Sequence, residues 1–489
     1  MTDLEAFVNQ EGRQDLVKQV RSKIKELGIQ YMYYQFISVT GRVMGKGVPA
    51  DHWETLAQKG FQLVYGSTAN LFIDRHNRYI GYGPEAWELA ALPEPETFVQ
   101  LPWDKRVARV FCTVFRGREH PENPGAYLTS DCRGSLRRLH EQFQKDHKGL
   151  HLRVGTEPEM MWLKKDESGK PAGGFSKPYC YHIDQFESLR PVFLKVVEYG
   201  RKMGIDVIQG DHEDAPGQIE INFTFDETLR NCDRLSTFRQ ICAQVAREHN
   251  IIACFMPKPF VGVSASACHT NFSLWRGGED VVNSIDNDPM PGLLAPYTYR
   301  KGGENTFMPD TENIRKPSKL GLNCMGGVME HLRALTALGC STVNSYRRLL
   351  DLGFWAPVFA IWGYQNRTCA VRVSAPGRFE NKAVDAASNP YLVAAGLLKA
   401  CDDGIKRKLD PGEPEQRNIY DHVDTLEHLK KLPISLGEAL DALDQDEVIK
   451  QALPGEMYRV FTHYKRDEWE KFLATPTEWD VETYMDCLP

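Results

Sequence analysis

The sequence predicts an α+β fold. Three observations carry this: several short segments alternate apolar and polar residues strictly, as strands with one wet face do; other segments repeat apolar residues at helical spacing; and the two kinds do not form a regular strand–helix–strand series. Of the 489 residues, 42% are apolar and 26% are charged, a globular balance that excludes extended disorder. The first helix is expected over Arg13–Leu27, with Leu16, Val17, Val20, Ile24 and Leu27 on one side and Gly28 as the stop. The apolar runs Tyr31–Val39 and Val107–Phe115 follow as strands. Gly117–Gly125 is rich in Pro, Gly and charge and is the expected boundary between an N-terminal domain, 1–125, and a larger domain, 126–489. Beyond it, Arg133–Lys145 places Leu136, Leu139 and Phe143 on one side of a helix. Helices and strands alternate through the remainder.

The wet faces of the strands carry the chemistry. In Gln218–Phe225, Ile219, Ile221, Phe223 and Phe225 point one way, and Gln218, Glu220, Asn222 and Thr224 the other. Glu157 and Glu159 share a face of Val154–Met160; His269, Asn271 and Ser273 share a face of Ala267–Trp275; Arg372 stands between Val371 and Val373. Carboxylates and one imidazole on strands otherwise built for a core read as a hard-cation site, suited to Mg²⁺ or Mn²⁺. Two such ions could clamp a transferring phosphoryl group. Arg348, Arg367, Arg372 and Arg378 could neutralise its oxygens.

Other classes are set aside. No GxxxxGK[ST] occurs and no GxGxxG follows a strand, so ATP, if used, is held by neither a P-loop nor a Rossmann turn. GxSxG is absent. A net charge of −7 gives no electrostatic reason to bind nucleic acid or an anionic membrane. The start of the chain does not read as a signal peptide. The most apolar stretch, Leu349–Tyr364, is too short to span a bilayer and holds Asp351, Gly353 and Pro357. Twelve scattered cysteines without a CxxC pair suit a reducing cytoplasm.

Four segments resemble the glutamine synthetase family. Gly155-Thr-Glu-Pro-Glu-Met160 resembles its GPEPEF-type strand, and Glu213-Asp-Ala-Pro-Gly-Gln-Ile-Glu220 its E-x-x-P-G-Q-x-E element. Phe255-Met-Pro-Lys-Pro259 with Ser264-Ala-Ser-Ala-Cys-His269 resembles FMPKP…GSGMH. Asn344–Leu349, Asn366-Arg-Thr368, Arg372, Arg378-Phe-Glu380 and Asn389–Leu392 resemble the long ATP and glutamate signature. The match runs in order over roughly residues 30 to 470. The resemblance implies a small β-grasp N-terminal domain, a large catalytic domain with a curved antiparallel sheet and helices, and stacked hexameric rings with each site between neighbouring subunits. It implies one metal on Glu159, Glu213 and Glu220, and a second on Glu157, His269 and Glu380. It further implies catalytic roles for Arg367 and Arg372, a glutamate contact at Arg348, and ATP contacts at Arg378, Ser273 and Asn271. The implied reaction joins the γ-carboxyl of L-glutamate to an amine through γ-glutamyl phosphate, with ATP as co-substrate.

The departures from the family pattern cluster at the amine. Tyr65, in Val64-Tyr-Gly-Ser67, stands where the family has the Asp of a DGS motif; Trp355, in Phe354-Trp-Ala-Pro357, stands where it has the Glu of a flap segment. A substrate pocket of Tyr65, Trp355 and Phe354 lacks the carboxylates that bind ammonium and favours a hydrophobic or aromatic, aniline-like amine. Lys382 replaces an Arg expected to contact substrate, and Ala265 and Ala267 replace two glycines. Tyr420 lies in a segment resembling the loop that some bacterial members modify, and reads as a plain surface tyrosine. Ordinary glutamine synthetase, a ligase for alkylamines or polyamines, and a non-catalytic assembly protein of the same fold stay open as alternatives.

Overall fold

Two sheets carry the fold in the computed structural model, which describes residues 1–70, 73–282, 292–294, 298–309, 316–349, 355–421 and 428–486. The first has six strands: β1 (Tyr31–Ile37), β2 (Val43–Pro49), β3 (Phe61–Leu63), β4 (Leu89–Pro93), β5 (Val99–Gln100) and β6 (Val107–Arg116). Their order is β2-β1-β6-β4-β3, with β5 also on β6. Only β1 and β6 pair in parallel. The helix Arg13–Leu27 forms over the expected span and stops on left-handed Gly28. It buries Val17, Val20 and Ile24 in one cluster with Met32, Tyr34 and Val110 of the sheet.

The second sheet has eleven strands among the described residues and curls about β7 (Leu150–Lys165). The first half of β7 pairs with β13 (Cys268–Arg276) and β11 (Asp226–Glu227). The second half pairs with β10 (Gln218–Phe223), β12 (Ile252–Cys254) and β8 (Pro171–Gly174). β9 (Val207–His212) lies outside β10. On the other side β13 leads to β19 (Arg378–Asn381), β18 (Val371–Ala375) and β17 (Trp362–Tyr364), and also touches β16 (Glu304–Asn305). β14 (Glu279–Val282) and β15 (Thr298–Lys301) form a separate hairpin. The helices Cys132–Asp146, Thr228–Glu248, Lys319–Gly339 and Pro390–Arg407 share a core with this sheet. The last two approach closely because Gly327 has no side chain; a Cβ there would lie 2.0 Å from the Ala400 carbonyl oxygen.

One face assignment is corrected. Ile219, Ile221 and Phe223 are buried as the alternation requires, whereas Phe225 is exposed. The strand ends at Phe223; the Thr224 N–H turns to the Asp206 carbonyl, and Asp226 then joins β7 opposite Val154. The period of two stops where the ladder stops.

Two polar clusters tie the parts together. Fully buried Glu94, after β4, accepts from Arg133 at 2.5 Å and from Arg137, while Arg133 also holds Asp233 at 2.8 Å. We expect Glu94→Ala to cost about 3–5 kcal/mol, the scale for one partner lost from a buried pair. Chemical denaturation reads this directly, and a loss under 1 kcal/mol contradicts it. His331 bridges Asp446 (2.7 Å) and Asp403 (3.0 Å), and Arg407 also holds Asp403. Burial disfavours the imidazolium, but the two carboxylate hydrogen bonds outweigh it and raise its pKa above the ordinary 6.5. A raised folded pKa contributes stability that is complete below the unfolded value and fades as pH rises through the folded one. Stability curves for the wild type and His331→Leu should therefore converge as pH rises above about 6.5; a constant gap would disprove the role.

Candidate active site

Strand register assembles the acidic residues. Asp211, Glu220 and Glu159 lie opposite one another across β9, β10 and β7. Two residues along β7, Glu157 faces His269 of β13; Asn271, two further along β13, faces Glu380 of β19, which in turn faces Arg372 of β18. Between β9 and β10 the chain turns through Gly217 at φ 72, where a Cβ would lie 2.3 Å from the Trp162 carbonyl oxygen. This turn is the physical content of the P-G-Q motif: it sets Glu213 and Glu220 side by side.

Ligand atoms meet in three overlapping groups: Glu157, His269 and Glu380; Glu159, Glu220 and His269; and Asp211, Glu213 and Glu220. All six residues singled out as metal ligands thus come together. Asp211 is a seventh that sequence reasoning missed, although its spacing two before Glu213 was a legible signal. Neighbours aim the carboxylates. Asn271 donates to Glu157 (2.8 Å), Asn222 to Glu220 (2.8 Å), Gln218 to Glu159 (3.2 Å), and the Ala267 N–H to Glu159 (2.8 Å). Neither Ala265 nor Ala267 stands at positive φ, so the turn does not require the family's glycines.

The electrostatics fit a cation. Burial, and then the charges of Glu159 and Asp211, push Glu213 up to about 9. Burial and then Glu159, Glu157 and Glu213 push Glu220 well above the carboxylate range. Glu157 goes the other way: burial raises it, but hydrogen bonds from His269 and Asn271 outweigh that and hold it low. Hard oxygens with one imidazole are the donor set of Mg²⁺ or Mn²⁺.

The remaining site residues divide. Arg372 reaches into the cluster, donating to Glu380 at 2.9 Å. Arg378, Asn271 and Ser273 line a cavity of about 450 Å³ that also borders Glu157. Its wall carries the rings of Phe225 and Trp275, 6.0 Å apart, with Arg153 over Trp275, an aromatic surface beside the acidic cluster. Arg367 is exposed. Arg348 is buried, with Nη2 on the Lys382 carbonyl. Lys382 is corrected from a substrate contact: its side chain is buried, and its ammonium donates to the Trp355 and Arg367 carbonyls at 2.9 and 2.5 Å. Burial lowers its pKa to about 8.

Tyr65 is corrected as well. It is 2% exposed, packed edge-on against Tyr82 and 3.4 Å from the Ser130 hydroxyl. A ring buried in its own core does not line an open pocket. Trp355, by contrast, is 55% exposed. Phe354 lies outside the described residues. A further aromatic that the sequence did not flag, exposed Tyr181, lies within electrostatic reach of Glu213, Asp211 and Arg367. The Tyr420 hydroxyl donates to the Ala356 carbonyl at 2.9 Å, so this tyrosine is not a plain surface residue.

The family model described as glutamine synthetase, catalytic domain, matches residues 129–294 and 298–484. The chain belongs to the glutamine synthetase family. A glutamine synthetase of Pyrococcus furiosus is 32% identical, over 94% of this chain and 97% of its own. A glutamate–methylamine ligase of Methyloversatilis universalis is also 32% identical, over 95% and 98%. A solved GmaS/ADP complex superposes with TM-score 0.79 at 30% identity, covering 95% of this chain and 99% of its own. This glutamine synthetase-family member should therefore show opposite responses at Glu220. Glu220→Gln removes an acid whose charged form the metal-free folded site disfavours, so we expect it to raise the melting temperature in chelator and to weaken Mn²⁺ binding by tenfold or more. Calorimetry and thermal melts check both; a variant that is less stable in chelator contradicts the repulsion.

Proposed function

We propose that the protein is an ATP-dependent ligase that joins the γ-carboxyl of L-glutamate to a hydrophobic or aromatic amine, as a γ-glutamylanilide synthase does. Trp355 carries the choice of amine: an indole ring stands exposed where the family has an acid, with its backbone tied beside Arg367. The similarity to a methylamine ligase supports an organic amine in general. A glutamate γ-carboxylate oxygen bonds to the γ-phosphorus of ATP as the bond to ADP breaks. The amine lone pair then bonds to the acyl carbon, phosphate leaves, and the nitrogen loses a proton. Arg367 and Arg372 neutralise the phosphoryl oxygens, and Arg348 orients glutamate. Mg²⁺ or Mn²⁺ on the acidic cluster supplies charge neutralisation when bound. An arylamine is neutral at pH 7, so its attack needs no carboxylate base.

The same reading takes residues 1–125 and 126–489 as separate domains, the chain as cytoplasmic, and the assembly as stacked hexameric rings. Supporting the first, the family match begins at 129. Among the described residues every cysteine is free and no helix is long and apolar enough to cross a membrane.

Ordinary glutamine synthetase is the second reading. Asp211 beside exposed Tyr181 favours it, because an acid beyond the six assigned to the metals stands where it could hold ammonium. Phosphate release with glutamate, ATP and either ammonia, methylamine, isopropylamine or aniline separates the two. We expect the highest kcat/KM with an organic amine, and a shift of about tenfold toward ammonia in Trp355→Glu, the equivalent of 1.4 kcal/mol. Fastest turnover with ammonia would overturn the proposal.

A further inference from the structure

Trp355 is held in an unfavourable backbone state. Its φ is 61°, a region that a bulky residue with a Cβ occupies at a cost of order 1–3 kcal/mol unless its surroundings impose it. Two donors hold the backbone there. The Lys382 ammonium, 1% exposed, holds the Trp355 carbonyl, and the Tyr420 hydroxyl holds the next carbonyl, that of Ala356. Both carbonyls turn into the protein, while the indole is left outside.

Lys382 does a second thing with the same group. Its Nζ also donates to the carbonyl of Arg367, and the Lys382 carbonyl accepts from Arg348. One buried ammonium therefore joins the segment bearing the exposed ring to the loop bearing a candidate phosphate-binding guanidinium. A guanidinium in its place would spread its donors in a flat fork, whereas an ammonium directs them tetrahedrally and can serve two carbonyls from different segments.

We propose that Lys382 and Tyr420 are positioning residues that fix the Trp355 ring at the mouth of the site and thereby set which amine is accepted. This rests on the ligase reading above. Neither residue touches substrate; both act through the backbone of residues 355 and 356.

The test is a double-mutant cycle on the full-length enzyme, using Tyr420→Phe, Trp355→Ala and the pair, with KM for the amine and for ATP measured separately. Tyr420→Phe should raise the amine KM about fivefold, the scale of one hydrogen bond, and leave the ATP KM within twofold. In the Trp355→Ala background it should have no further effect, because the ring it positions is gone. Independent multiplication of the two effects, an equal change in both KM values, or no change in the amine KM overturns the proposal. Lys382→Met should act in the same direction and more strongly; because it strips two carbonyls of their donor, Tyr420→Phe remains the deciding variant if it folds poorly. The cycle is run with whichever of ammonia, methylamine or aniline the wild type uses best. A wild type that prefers ammonia overturns the amine assignment while the cycle still judges the positioning role on its own. No turnover with any of the three overturns both.

Discussion

Carboxylates forced together by strand register are the constraint on which the rest of the molecule depends. Asp211, Glu220 and Glu159 face each other across three adjacent strands, and Glu157 faces His269 one step along. Antiparallel pairing fixes such neighbours at about 5 Å, with no freedom to separate. Burial sharpens the repulsion, as the raised Glu213 and Glu220 make plain. A fold that holds like charges this way keeps a standing penalty that a divalent cation removes.

The surrounding architecture serves that cluster. The long β7 contributes Glu157 and Glu159, and its two halves recruit different partners, so candidate ligands from four other strands converge on it. Amides from Asn222, Asn271 and Gln218 aim the carboxylates rather than neutralise them. The cavity with Phe225 and Trp275 adjoins one end of the cluster through Glu157. Two exposed aromatic rings lie near Arg367: Trp355 through its backbone tie, and Tyr181 through its place beside Glu213.

Much of this was legible in the sequence because a strand repeats every two residues. Glu157 with Glu159, Glu220 with Asn222, and His269 with Asn271 could be put on shared faces without knowing the fold, and those faces suggested a hard-cation site, while the full set of candidate ligands came from the family resemblance. Register could not be read. Which residues lie opposite is decided by long-range pairing, so the facing of Asp211 with Glu220 stayed hidden although its spacing from Glu213 did not, and Phe225 was assigned to a strand that had already ended. Burial was equally hidden. Tyr65 stands where the resemblance places an acid, but a resemblance says nothing about which way the ring turns, and it turns into its own core. Lys382 was judged by its charge; what decides its role is the pair of backbone carbonyls that reach it.

The most direct test of this account is a crystal structure with Mn²⁺ and ADP, with metal positions located by anomalous scattering. We expect two manganese sites a few ångströms apart, one among Glu157, His269 and Glu380 and the other among Glu159, Glu213 and Glu220, which fall in two groups that share Glu220. Manganese found only outside those groups, with the carboxylates left uncoordinated, would contradict it.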